Sequence, residues 1–291
     1  MKTFYQTDHD NHRRIISSNI GGIGNRIMCL YSSHIVYKEF CDEYKLMLLW
    51  PNSDDFSCDL YEILQIDDSI EIINYDDIIY LLCHADHPSF STSIFLNKHY
   101  VREYGKSIDI NKLMREWSNY NYVFNSLPWL HHSVPRMYVC NYCSKIEPLV
   151  RPSEQVCNKI NNLNFDPTDC IGVHVRRGDR TGSVLHDIKL QKYFDVIDKF
   201  DAPNIFLSAE DNDNSIYRQF VDRYGKKRIH KYNVRGYNRS NQEHCFDAVV
   251  SFFILSMTNI LIGGISTYSQ MAAALGKKNI HILRNDDDKS Q

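Results

Sequence analysis

The chain has 291 residues, a hydrophobic share of 43%, a charged share of 24% and a formal net charge of −3. That is the make-up of a soluble globular protein of one large domain or two ordinary ones, and no overall basic field recruits nucleic acid. No run reaches the roughly 18 apolar residues of a membrane span; the longest, "AVVSFFILSMTNILIGG", is broken by Ser251, Ser256, Thr258 and Asn259.

The opening "MKTFYQTDHDNHRR" lacks the apolar core of a secretory signal. "RIISSNIGGIGNRI" then runs from a strand through a glycine-rich turn into a helix carrying Ile27, Leu30, Tyr31 and His34 on one stripe. "YKLMLLW" reads as a strand and "SIEIINY" as another. From about residue 84 to 150 the pattern blurs: the stretch is rich in His, Tyr, Asn and Trp, contains Pro88, Pro128, Pro135 and Pro148, and reads as irregular structure plus helices. Within it Cys140 and Cys143 form a C-x-x-C with His131 and His132 upstream. A second pair at zinc-finger spacing is missing, so buried thiols and surface imidazoles are expected rather than a metal site. "EPLVRPSEQV" marks the passage between an N-terminal domain, 1–150, and a C-terminal one, 151–291.

The second half is regular. "CIGVHV", "NIFLSA", "RIHKYN", "NILIGG" and "NIHIL" read as strands. They alternate with the helical stretches "KLQKYFDVIDKF", "SIYRQFVDRYG", "FDAVVSFFILSMT" and "STYSQMAAALG". Strands alternating with helices of this length predict an α/β fold with a parallel, doubly wound sheet. The nine cysteines are odd in number and show no compact disulfide framework, which fits a reducing compartment and a cytoplasmic location. The sequon Asn238-Arg239-Ser240 then has no role.

Four motifs bear on chemistry. "HVRRGD" places His174, Arg176, Arg177 and Asp179 where a buried strand stops, and ligands of open α/β sheets bind at the carboxyl ends of strands. Arginine presents paired donors that match phosphate oxygens. Neighbours on an extended chain point to opposite sides, so one arginine reaches a ligand while the other pairs inward, with Asp179. In "SNIGGIGNRI", Gly21, Gly22 and Gly24 allow close backbone approach, and the helix opening near Asn25 offers amides to an anion; a purely structural turn explains it equally well. In "GGISTYSQ", Ser266, Thr267, Ser269 and Gln270 stand at a helix N-terminus, as an anion site or as ordinary caps. Asp247 opens the preceding apolar helix, either as a first-turn acid favoured by the dipole or as an acceptor for a nucleotide base.

Taken in order, these segments resemble the GT-B fucosyltransferases related to NodZ, the α1,6-fucosyltransferases and the protein O-fucosyltransferases. The pattern runs through "GGIGNRI", "LMLLWPNSDDFSCDLYEIL", "LVRPSEQV", "IGVHVRRGD", "NIFLSAED" and "DAVVSFFILSMTNILIGGISTYSQMAAALG"; only about 84–145 shows no counterpart. The resemblance implies two Rossmann-like domains facing across a cleft, with an acceptor-side N-terminal domain and a donor-binding C-terminal one. It implies a nucleotide-sugar donor, GDP-fucose or another, a glycan or glycoconjugate acceptor and no further cofactor. His174 and Arg176 would hold the donor pyrophosphate, with Arg177 and Asp179 shaping the site. Asp247 would read guanine, while Ser266, Thr267, Ser269 and Gln270 would meet phosphate or ribose. Gly22, Gly24, Asn25 and Arg26 would approach from the other domain. The chain departs from the α1,6 subgroup in one respect: that subgroup has a glutamate shortly after the arginine motif, positioned to deprotonate the acceptor, and Val184 stands there instead. His186 and Asp187 are the candidates to replace it, and a place on the surface explains both equally well, so the base is unassigned.

The expectation is an inverting, metal-independent glycosyltransferase in which His174, Arg176 and Asp187 act on the reacting groups. Two alternatives compete. Asp211-Asn212-Asp213 looks like the metal-binding D-x-D of a GT-A enzyme, but that fold leaves the later strand–helix units and the arginine motif unexplained. The missing glutamate also suits a non-catalytic glycan- or nucleotide-binding protein.

Overall fold

The computed structural model describes residues 13–19, 21–39, 44–73, 93–96, 122–125, 136–176, 188–201, 203–210 and 213–284. The chain divides into two compact units, 1–55 with 65–151 and 56–64 with 152–291. Residues 56–64 therefore join the second unit although they precede most of the first in sequence.

The first unit is built on β1 (Arg13–Ser18), α1 (Ile23–Glu39) and β2 (Tyr44–Leu49). The helical stripe expected on α1 is buried: Ile27, Leu30, Tyr31 and His34 are each at most 5% exposed. After the short α2 (Leu60–Ile63) and β3 (Leu64–Ile66) come β4 (Glu71–Ile73), β5 (Ser93–Leu96), β6 (Tyr122–Asn125) and α3 (Arg136–Lys145). The five-stranded sheet has the order β4-β2-β1-β6-β5 and every pairing is parallel. Two of its strands, β5 and β6, lie in the stretch read above as irregular structure plus helices. "SIFL" and "YVFN" are too short for a period to show, and only their pairing with each other and with β1 makes them strands. Cys140 and Cys143 are buried on α3; His131 and His132 lie outside the described residues.

β7 (Val150–Pro152), which pairs with β3, leads out of the first unit, and the second continues through α4 (Glu154–Asn161), whose N-cap Ser153 accepts from Val156 N–H. Next come β8 (Cys170–Val175), α5 (Leu190–Ile197), β9 (Asn204–Ala209), α6 (Ser215–Tyr224), β10 (Ile229–His230), α7 (Gln242–Met257), β11 (Ile260–Gly263), α8 (Thr267–Leu275) and β12 (Asn279–Ile282). The order β10-β9-β8-β11-β12 is parallel throughout. Helical crossovers cover both faces of such a sheet, and β8, its central strand, is buried at every position. Ile171, Val173 and Val175 face a core with Tyr193, Phe194 and Phe220. On the other face a Cβ at Gly172 would lie 2.4 Å from Thr258 Oγ1, so glycine lets the end of α7 press onto β8. α6 ends at Gly225 with φ +83°, a conformation glycine tolerates and other residues resist.

The sheet reverses its winding between β8 and β11. The parallel register sets His174 opposite Ser208 of β9 on one side and Gly263 of β11 on the other.

Candidate functional site

The carboxyl ends of β8 and β11 meet at this switch point, the location where open α/β sheets bind ligands. His174 is the last residue but one of β8 and Arg176 follows the strand. The imidazole is 7% exposed, and its ring lies 4.9 Å from that of Tyr268, tilted by 34°. Burial, helped by the Arg176 charge, pushes its pKa down to about 3, so the ring is neutral at physiological pH. Its Nδ1 has no hydrogen-bond partner among the described residues.

β11 leads into α8 through Gly263, where an added Cβ would lie 3.0 Å from Ser269 Oγ. This close approach brings the first turn of α8 up against the strand ends. Ser266 is its N-cap and accepts from Tyr268 N–H at 3.3 Å. Arg176 Nη1 donates to the same hydroxyl at 3.4 Å, tying the end of β8 to the start of α8. Thr267 opens the helix, and Ser269 and Gln270 are buried in its first turn. The Gln270 side chain is 4% exposed, and Oε1 has no partner among the described residues. Burying an amide or imidazole without a partner is costly, and such groups in native proteins call for a ligand, water or ion. The switch point thus joins a guanidinium, a neutral imidazole, a capping hydroxyl and a helix N-terminus, the combination that suits a phosphate group.

Tyr268 was missed at the sequence level, although it lies inside the "STYSQ" motif. Its ring packs on His174 and on Phe252, 5.2 Å between centroids, and its hydroxyl donates to Ala248 O at 2.6 Å.

Asp247 is not a first-turn acid. α7 starts at Gln242, with Asn241 as N-cap accepting from His244 N–H at 3.1 Å. The sequence placed the start too late because its first turn, "QEHC", is polar and the apolar run begins only at Phe246. Asp247 is 2% exposed and accepts from Arg235 three times, from the backbone N–H at 2.7 Å and from Nε and Nη2 at 3.0 Å each. A carboxylate has about four acceptor sites, and Arg235 takes three of them. Asp247 therefore clamps the 231–241 segment through Arg235, a residue the sequence did not single out because it lies in a segment with no period. Arg239 of the same segment pairs with Glu210 at the end of β9, 3.6 Å apart.

In the first unit the glycine turn is fixed by its own arginine. Arg26 is 2% exposed; Nε donates to Gly21 O at 2.6 Å, Nη1 to Pro51 O at 2.7 Å and Nη2 to Ser53 Oγ at 3.2 Å. Its guanidinium also lies 4.8 Å from the centre of the Trp50 ring. Gly22 O accepts from the N–H groups of Asn25 and Arg26 at 2.9 and 3.2 Å, and nothing lies within 4 Å of a Cβ built at Gly22. Gly24 is buried in the first turn of α1. Arg177, Asp179, His186, Asp187 and Asp211 lie outside the described residues. Asp213 accepts from Ser215 N–H at 3.0 Å at the start of α6.

No protein-family model and no curated protein matches the sequence. Solved structures do match. The chain is similar to the fucosyltransferase NodZ from Bradyrhizobium, at 15% identity and TM-score 0.58, over 96% of this chain and 97% of that one. It is similar to POFUT1 in complex with GDP-fucose, at 13% identity and TM-score 0.56, over 94% and 98%. It is also similar to a variant of Arabidopsis thaliana FUT1 in complex with GDP, at 12% identity and TM-score 0.63, over 97% and 73%. The chain has the α/β, GT-B fold of these fucosyltransferases. At such identity the likeness is one of fold, and function has to be argued from the site.

Proposed function

We propose that the chain is a glycosyltransferase that transfers fucose from GDP-fucose to a glycan hydroxyl, with inversion and without a metal ion. The observation that carries this reading is the switch point of the second sheet. There Arg176, bonded to the N-cap of α8, stands beside the buried polar atoms His174 Nδ1 and Gln270 Oε1. The similarity to structures holding GDP-fucose or GDP supports the choice of donor.

In this mechanism the donor pyrophosphate lies against Arg176 and the first amides of α8. The acceptor oxygen attacks the anomeric carbon from the face opposite the nucleotide, and the glycosyl–phosphate bond breaks as the new bond forms. Negative charge grows on the departing diphosphate, and a guanidinium and helix-end amides already in place stabilise it as it develops. His174 is neutral, so it contributes a hydrogen bond and not a charge. Asp247 serves the base-binding side by holding Arg235 and its segment in place. Arg177 and Asp179 shape the phosphate site, and Asp187 takes the acceptor proton.

Calorimetric titration with GDP, UDP, TDP and CDP tests the donor assignment. GDP is expected to bind more tightly than the others, and Arg176→Ala to weaken all four because it removes a contact to the shared diphosphate. Equal binding of all four nucleotides would overturn the choice of guanine, and GDP binding untouched in a folded Arg176→Ala protein would remove the switch point from the donor site.

A further inference from the structure

We propose that Tyr268 is a positioning residue of the donor site: its ring fixes the direction in which the His174 imidazole presents its nitrogens to the donor. The role rests on the donor assignment above. Arg176 and His174 act on a ligand in different ways. A guanidinium carries its charge however it is turned, so it attracts a diphosphate over a range of geometries. A neutral imidazole has one nitrogen that donates and one that accepts, and it helps only when the right one faces its partner. His174 is neutral through burial, helped by the Arg176 charge, so its direction decides its use. Nδ1 has no hydrogen-bond partner among the described residues, and that nitrogen does not anchor the ring. The aromatic neighbour of the imidazole is Tyr268, 4.9 Å away between centroids and tilted by 34°. Ring quadrupoles favour tilted and edge-on pairs, so such a contact prefers an angle as well as a distance.

Tyr268 can hold its neighbour because it is itself held. Its hydroxyl donates to Ala248 O at 2.6 Å, and its ring meets Phe252 edge-on, 5.2 Å between centroids at 72°. Ala248 and Phe252 lie four residues apart on α7, on one face of that helix. The Tyr268 N–H donates to Ser266 Oγ at 3.3 Å. Gly263, opposite His174 in the sheet register, admits the first turn of α8 closely enough for Tyr268 to reach the imidazole. The bond to Ser266 belongs to the backbone and does not depend on the side chain at 268. What the side chain adds to the site is the ring against His174.

Two substitutions separate the ring from the hydroxyl. Tyr268→Phe keeps the ring between His174 and Phe252 and gives up only the bond to Ala248 O. Tyr268→Leu removes the ring and leaves space into which the imidazole can turn. The imidazole then samples more than one orientation, and only a fraction of the molecules present the right nitrogen to GDP. Apparent affinity falls by that fraction.

The test has two arms on the full chain, with circular dichroism checking that each variant folds. The first needs no ligand. Relaxation dispersion is measured on the histidine rings, and the His174 signals are identified by their absence from the His174→Ala spectrum. The ring is expected to hold one orientation in the wild type and in Tyr268→Phe, and to exchange between orientations in Tyr268→Leu. A His174 ring as fixed in Tyr268→Leu as in the wild type overturns the proposal. The second arm is calorimetric titration with GDP. Tyr268→Leu is expected to lower affinity roughly three- to tenfold, and Tyr268→Phe to restore it to within about twofold of the wild type. In a His174→Ala background Tyr268→Leu is expected to cost nothing further, because the group it positions is gone. Additive losses in that double variant mean that Tyr268 acts without His174, and overturn the proposal. Should Tyr268→Leu not fold, Tyr268→Met takes its place in both arms. If the wild type does not bind GDP at all, the donor assignment fails, and the first arm decides by itself whether Tyr268 holds the imidazole.

Discussion

His174 and Arg176 are two residues apart on extended chain, which sends both side chains to one side of the sheet. The guanidinium there meets a hydroxyl of α8, and the imidazole is buried against Tyr268. A charge-assisted contact from this guanidinium to a donor phosphate would contribute about 1.5–3 kcal/mol. Replacing Arg176 with Ala should therefore weaken GDP binding roughly ten- to hundredfold, read by calorimetry with circular dichroism confirming the fold. His174 sets a pH dependence whose sign can be worked out. Its folded pKa, about 3, lies below the ordinary 6.5. Between the two values the unfolded chain carries a proton that the folded chain lacks. The stability contribution is complete above about pH 6.5 and drains away as the pH falls toward 3, by at most about 1.4 kcal/mol per pH unit. Melting temperatures from pH 7.5 to 4.5 should fall with pH and fall less steeply in His174→Gln. His34 titrates in the same direction, down to about 4 through burial, which is why the comparison is with the variant and not with a flat line. For Asp247, replacement by Asn puts an amide donor against the donors of Arg235. GDP binding should weaken in Asp247→Asn and, by a similar factor, in Arg235→Ala; if only the Asp247 variant loses affinity, the carboxylate meets the base directly.

At the scale of elements, two close approaches place the site. The end of α7 presses onto β8 over Gly172, and the first turn of α8 reaches the end of β11 over Gly263. Gly172→Ala would set a methyl 2.4 Å from Thr258 Oγ1 and 3.1 Å from Leu255 Cδ2. Thr258 Oγ1 is already committed to Leu255 O at 2.8 Å, so it cannot simply rotate away. Overpacking of this kind costs about 1–3 kcal/mol, to be measured as a lower urea midpoint with an unchanged m-value. The glycine turn before α1 obeys a different logic. There Arg26 spends its donors on Gly21, Pro51 and Ser53, so it fixes the loops that end β1 and β2.

For the whole molecule, the question is which architecture supplies positive charge to the leaving diphosphate. In the proposed reading Arg176 and the N-terminus of α8 supply it, and turnover should survive excess EDTA. In the D-x-D alternative Asp211 and Asp213 would hold a metal that bridges the phosphates. EDTA inhibition reversed by manganese, together with loss of activity in an Asp211→Ala, Asp213→Ala double variant, would move the donor site to the turn after β9. The GT-B fold weighs against that alternative, and the turnover measurement decides it. The sequence by itself determined the α/β class and the alternating strands and helices from β8 onward, because buried strands and amphipathic helices write their periods into neighbouring residues. It also brought His174, Arg176 and Ser266 into view, since strand ends and helix caps are local features. Tertiary structure alone decided what depends on residues far apart in the chain. It made strands of "SIFL" and "YVFN" by pairing them beside β1. It brought Arg235 onto the Asp247 carboxylate. A hydrogen bond between distant segments leaves no period in either one, so nothing in the order of residues announces it.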